Sequence, residues 1–221
     1  MIKGVIFDLD GVIVFTDKYH YLAWKAIADE ENIYFDEQIN HLLRGVSRME
    51  SLNIILRKAT KCYNEKEKEE LAYKKNEIYK NYLQSLNKNN VSLDVINTLK
   101  TLKEKNIKIA IGSSSKNTKL ILSKIGLLDM FDCIVDGNDI KHSKPNPEVF
   151  LKAAEKLMLN PSDCLVIEDA ESGIDAAIDG GFISVGIGNA SKYNKTKYKI
   201  DNVKEIINLL WKNSNYLFGY F

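Results

Sequence analysis

The sequence predicts an α/β protein with a Rossmann-like doubly wound parallel sheet core and an inserted helical cap domain. Three observations carry that prediction. From about residue 90 onward, short β-branched runs alternate with helical segments, the pattern of a parallel sheet covered on both faces. One further strand-like run, KGVIF at 3–7, opens the chain. Between residues 16 and 89 no strand-like segment appears, and helical periodicity prevails instead. The core is therefore expected at 1–15 plus 90–221, and the cap at 16–89.

Each element has its own signal. Val5-Ile6-Phe7 reads as a buried strand, and it runs straight into Asp8 and Asp10, separated by Leu9 and followed by Gly11. From Lys18 to Glu31, Tyr19, Leu22, Ala23, Ala26 and Ile27 fall on one helical face. Ser47 and Glu50 have the spacing of a capping box and predict a helix starting at Arg48. A charge-rich helix is expected at 65–83, with Leu71, Ala72, Ile78, Tyr79 and Tyr82 on its apolar face and Lys75 near the middle. Strands follow at 107–112, 133–137, 164–169 and 182–188, and helices at 93–105, 116–125, 147–158, 171–180 and 203–212.

Composition narrows the function classes. The chain has 221 residues, 45% hydrophobic and 28% charged, with a net charge of +1; such a balance argues against a dedicated nucleic-acid binder. Cys62, Cys133 and Cys164 form no CxxC pair, so neither a zinc knuckle nor a disulfide framework is indicated. No apolar run is long enough to span a bilayer, and no signal-peptide pattern precedes the first strand. A cytoplasmic monomer acting on a small molecule, without nucleic-acid or membrane partners, is expected.

In open parallel sheets, ligands sit beyond the carboxyl ends of the strands. Four polar signatures fall there: Asp8/Asp10, Ser113-Ser114-Ser115, Lys144, and Glu168/Asp169. Each has an ordinary alternative. Asp169 and Ser115 could be helix N-caps, and Lys144, between Ser143 and Pro145, could be a solvent lysine in a turn. Together they describe clustered carboxylates suited to Mg²⁺ facing hydroxyls at a helix start suited to a phosphate. In the insertion, Arg48 stands at a predicted helix N-terminus beside Gly45 and Ser51. Lys75 either snorkels along apolar surface or points into the crevice, and His20 could be a plain surface histidine.

These residues resemble the haloacid dehalogenase superfamily of phosphotransferases. DLDG at 8–11, SSS at 113–115, SKP at 143–145 and IEDAESGIDAA at 167–177 look like its four motifs, in order, over nearly the whole chain. YHYLAWKA at 19–26, RGVSRMESL at 44–52, AYKKN at 72–76 and SSSKN at 113–117 are similar to the β-phosphoglucomutase-like subgroup. The resemblance implies that Asp8 is the nucleophile that becomes an aspartyl-phosphate and Asp10 the general acid/base. It implies Mg²⁺ held by Asp8, the Asp10 carbonyl, Glu168 and Asp169, and the transferring phosphate held by Ser113 and Lys144. Arg48, Ser115, Lys116 and Asn117 would grip the distal phosphate. His20, Trp24, Gly45, Val46, Ser51 and Lys75 would surround the sugar and hinge, with Thr16, Ser47 and Ser114 among the further contacts.

The implied activity is interconversion of β-D-glucose 1-phosphate and glucose 6-phosphate through a 1,6-bisphosphate. A Mg²⁺-dependent sugar-phosphate or phosphoglycolate-type phosphatase using the same Asp8 is the alternative, and a non-catalytic phosphosugar-binding protein is the alternative of another class. Two positions depart from the family pattern. The acidic residue usual just before Thr16 is Phe15 here, and the Pro-Gly that often follows the cap is replaced by VSLDV at 91–95.

Overall fold

The computed structural model describes residues 1–215 of the chain. Six strands form one parallel sheet: β1 (Gly4–Phe7), β2 (Lys108–Gly112), β3 (Cys133–Val135), β4 (Cys164–Glu168), β5 (Ile183–Gly186) and β6 (Tyr198–Lys199), ordered β3-β2-β1-β4-β5-β6. β1 is central: Val5 lies in register with Ile109 on one side and Leu165 on the other. All four of its residues are buried, which is why it reads as an unbroken apolar run instead of alternating.

The sheet separates two apolar layers. Val5 and Phe7 face Leu99, Leu102, Ile121 and Ile206, contributed by α5 (Leu93–Glu104), α6 (Thr118–Lys124) and α9 (Glu205–Asn215). Ile6 faces the opposite way, onto Phe150, Ala153, Ala176 and Ala177 of α7 (Glu148–Leu157) and α8 (Glu171–Asp179). The alternation is the period-2 geometry of a strand.

Between β1 and α5 the chain forms α1 (Asp17–Glu30), α2 (Glu37–His41), α3 (Arg48–Leu56) and α4 (Glu65–Leu83). These helices bury a core of their own, with Trp24, Ile27, Phe35, Leu52, Ile55 and Leu71. α4 is started by a full capping box, Glu67 N–H donating to Asn64 Oδ1 at 3.0 Å and Asn64 N–H to Glu67 Oε2 at 2.8 Å. Among the described residues no helix is long and apolar enough to cross a membrane.

Several details differ from the sequence expectation. Only half of the Ser47 box forms: Glu50 N–H donates to Ser47 Oγ at 3.2 Å, while Ser47 N–H goes to Ser143 Oγ across the crevice. The buried face of α4 is Leu71, Ala72, Lys75, Asn76, Tyr79 and Leu83. Tyr82 is rotated out of it and stacks on Tyr19 at 5.9 Å near the surface. The apolar count hid this because two polar residues, Lys75 and Asn76, occupy the inner face. α2 and β6, with five and two residues, are too short to leave a periodic signal.

Candidate active site

The chain order of the strands reverses between β1 and β4, so the loops leaving them diverge, and a crevice opens at their carboxyl ends. It measures about 540 Å³ and is lined from the sheet side and from the helices α1, α3 and α4. Asp8 and Asp10 both line it while Leu9, between them, is fully buried below. The Asp8 N–H is fixed on Ile167 O of β4 at 2.9 Å. Gly11 then turns the chain away at φ +83°, and a Cβ there would stand 2.2 Å from Asp169 Oδ2, so only glycine leaves the Asp169 carboxylate its place.

Charge is concentrated behind this wall. Lys144, 1% exposed, pairs with both Asp8 Oδ1 and Glu168 Oε1 and lies over the Phe150 ring at 4.7 Å. Burial opposes its charge, but the two carboxylates outweigh burial and hold its pKa above the ordinary lysine range. Glu168 Oε2 accepts the Ala170 N–H at 2.9 Å, so both of its oxygens are engaged. Asp8 and Asp169 are pushed upward, first by burial and then by Glu168, with Asp10 adding to the rise of Asp8 and Asp8 to that of Asp169. For Asp8 the Lys144 ammonium pulls the other way without cancelling the rise. Asp10 is raised to about 6, chiefly by burial, against the Thr16 hydroxyl that donates to its Oδ1. A carboxyl poised there can both take and give a proton near neutrality.

The serine loop differs from the simple N-cap expectation. α6 begins at Thr118, its N-cap position is Asn117, and no side chain caps it. Ser113 Oγ instead accepts Ser115 N–H at 3.1 Å, and Ser115 Oγ accepts Asn117 N–H at 3.2 Å. The hydroxyls thus brace a loop that carries Ser113, Ser114, Ser115, Lys116 and Asn117 into the crevice. Asp169 is likewise no cap, because Ala170 holds the N-cap position of α8; its carboxylate faces the crevice and meets Arg44.

From the helical side, His20, Trp24, Gly45, Val46, Ser47, Arg48, Ser51 and Lys75 all line the same crevice. Thr16 and Lys144 stand fully buried just behind it and reach it through Asp10 and Asp8. Lys75 does not snorkel: it is 2% exposed. Its Nζ lies 2.9 Å from His20 Nδ1 and 4.6–4.9 Å above the Tyr79 and Trp24 rings. Burial and then Arg48 push the Lys75 pKa well below normal. Burial and then Lys75 do the same to His20, which is no ordinary surface histidine. Burial also lowers the Arg48 pKa. Basic groups whose charged forms burial disfavours gain most from an anion brought against them, so this wall suits a polyanionic ligand.

Five residues to which the sequence assigned no role at the site complete the picture. Arg44 and Asp17 pair with each other, Asn117 Nδ2 donates to Asn76 Oδ1 at 2.9 Å, Ser143 accepts from Ser47, and Tyr79 packs its ring on His20 at 4.1 Å. Arg44, Asn76 and Ser143 stand inside the segments 44–52, 72–76 and 143–145, which was the available hint.

Gly173 in α8 yields a first prediction. A Cβ there would lie 1.9 Å from Glu168 Cδ and 2.0 Å from Oε1. Gly→Ala inside a helix ordinarily stabilises by about 1 kcal/mol. Gly173→Ala should reverse that sign, costing about 1–3 kcal/mol in chemical denaturation, because Glu168 must leave Lys144. A variant as stable as the parent would show that the Glu168–Lys144 pair tolerates displacement.

Comparison with known proteins agrees with this geometry. The sequence profile of the haloacid dehalogenase-like hydrolases matches residues 2–181. β-Phosphoglucomutase of Bacillus subtilis is 44% identical over 188 residues, covering 84% of this chain and 83% of its own. A phosphorylated-carbohydrates phosphatase of Thermotoga maritima is 30% identical over 182 residues, 81% of this chain and 82% of its own. Among solved structures, β-phosphoglucomutase from Clostridium difficile superposes with a TM-score of 0.91 at 38% identity, covering 98% of this chain and 99% of that one.

Proposed function

The chain belongs to the family of haloacid dehalogenase-like hydrolases, and on that premise we propose that it is a β-phosphoglucomutase, interconverting β-D-glucose 1-phosphate and glucose 6-phosphate. One observation supports this above the others: Arg48 and Lys75 from the helices share a crevice with Asp8. A reaction passing through a bisphosphate needs anion-binding groups away from the nucleophile as well as around it. Residues 16–89 act in this reading as a cap over the core.

Asp8 is the nucleophile. Its carboxylate oxygen forms a bond to phosphorus as the bond to the donor oxygen breaks. The phospho-Asp8 then passes its group to a sugar hydroxyl, whose proton goes to Asp10, giving the 1,6-bisphosphate. After the sugar turns round, the other phosphate returns to Asp8 and Asp10 gives the proton to the departing oxygen. Lys144 and Ser113 offset charge on the phosphoryl oxygens. Arg48, Ser115, Lys116 and Asn117 hold the phosphate that is not reacting, while His20, Trp24, Gly45, Val46, Ser51 and Lys75 surround the sugar.

The donor set also fits Mg²⁺. Among the described residues no three His, Cys, Asp or Glu side chains stand gathered as a ready metal site. Yet Glu168 raises both Asp8 and Asp169, and Asp8 raises Asp169 further, despite Lys144 and Arg44, which marks a cluster with more negative charge than its neighbours offset. Hard oxygen donors in that state suit a hard divalent cation. Asp8, the Asp10 carbonyl, Glu168 and Asp169 would hold it, and when bound it supplies positive charge to the phosphoryl oxygens.

Water must be kept from phospho-Asp8, and closure of the cap does this. The test is product identity: β-glucose 1-phosphate with Mg²⁺ and a trace of the 1,6-bisphosphate should give glucose 6-phosphate. Predominant release of inorganic phosphate would make the chain a phosphatase using the same Asp8, and no turnover would leave a binding protein.

A further inference from the structure

Three hydrogen bonds and one ion-pair network join the loop before α3 to the rest of the molecule. Ser172 Oγ donates to Arg44 O at 3.2 Å, Ser114 Oγ to Gly45 O at 3.0 Å, and Ser47 N–H to Ser143 Oγ at 3.2 Å. The Arg44 guanidinium spans the joint itself. Its NH2 pairs with Asp17, the first residue of α1, and its NH1 reaches Asp169 Oδ2 at 3.3 Å, after β4. Its Nε is buried with no hydrogen-bond partner. Gly45 lets the loop approach this closely: it has φ +75°, and a Cβ would meet Ser172 Oγ at 2.2 Å.

We propose that Arg44 is a positioning residue that latches the cap to the core through Asp17 and Asp169, and so decides how well water is excluded from phospho-Asp8. The inference rests on the mutase reading above for its catalytic consequence alone; the latch is a statement about this chain's own contacts. Asp17 supplies the acid at the joint: it meets the guanidinium, whereas Phe15, two residues earlier, is 73% exposed. The same contact places a fixed positive charge on a carboxylate that would hold Mg²⁺, so closing the latch and neutralising Asp169 are one event. The Arg44–Asp17 pair, partly exposed on both sides, adds little to folding stability, and Asp169 without Arg44 still lines the solvent-filled crevice. Closure is a balance between two folded states and responds to small differences in contact.

The experiment uses the full chain with Arg44→Ala, Arg44→Lys and Asp17→Asn. Thermal unfolding should stay close to the parent in all three. In turnover of β-glucose 1-phosphate, Arg44→Ala should raise the ratio of inorganic phosphate to glucose 6-phosphate on the order of tenfold. Arg44→Lys should recover part of that loss and Asp17→Asn should fall between. Independently of any sugar, calorimetric titration of the metal-free protein with MgCl₂ should show Arg44→Ala binding on the order of tenfold more tightly, because a competing cation has gone from Asp169. An unchanged product ratio or an unchanged Mg²⁺ affinity overturns the latch. If the parent itself makes no glucose 6-phosphate, the mutase reading has failed, and the latch is judged on the Mg²⁺ titration alone.

Discussion

Asp8→Asn should abolish turnover, lowering kcat on the order of 10⁴-fold or more, while the protein stays folded. The amide is nearly isosteric with the carboxylate but has no anionic oxygen to attack phosphorus. Lys144 keeps Glu168 as partner, so the buried ammonium is not left alone, and removing the Asp8 charge relieves its repulsion with Asp169. Intact-mass spectrometry after mixing with the bisphosphate should show a phosphoryl adduct on the parent and none on the variant. A variant that still forms the adduct would place the nucleophile elsewhere.

Asp10→Asn should cost about 10²–10⁴-fold in kcat through loss of proton transfer. It should do so without preventing phosphorylation of Asp8. The structure gives this carboxyl a buried site, a Thr16 hydroxyl donor and a pKa pushed up to about 6, the conditions for a group that both accepts and returns a proton. The discriminating measurement is leaving-group dependence. With an aryl phosphate, whose leaving oxygen needs no proton, the loss on formation of the Asp8 adduct should shrink severalfold relative to the sugar phosphate. An equal loss with both donors would assign Asp10 to holding phosphate or metal.

Much of the site could be read in the sequence because its groups sit at strand ends. Asp8, Ser113 and Glu168 each follow an apolar run directly, and a parallel sheet brings such positions together without any knowledge of side-chain contacts. Lys144 was legible only through its motif, since its burial depends on Phe150, Asp8 and Glu168 arriving from other elements. Arg44 and Asn76 lie inside the segments 44–52 and 72–76, but their contacts were not legible. Their partners lie at sequence separations of 125 and 41, and nothing in local periodicity reports a contact of that kind. The face of α4 was misjudged at Tyr82 for a related reason: burial of Lys75 and Asn76 is set by what they touch across the crevice, which an apolar pattern does not record. Phe15 is exposed, and Asp17, two residues on, carries the ion pair to Arg44; neither fact has a local sequence signal.

The central claim is that Asp8 passes its phosphate to a sugar and not to water. The direct test follows both products from one reaction: purified protein, Mg²⁺, β-glucose 1-phosphate and a trace of β-glucose 1,6-bisphosphate, with glucose 6-phosphate and inorganic phosphate assayed together. The account predicts glucose 6-phosphate in large excess, with phosphate release limited to slow leakage. Stoichiometric release of inorganic phosphate, with free glucose as the other product, would contradict it.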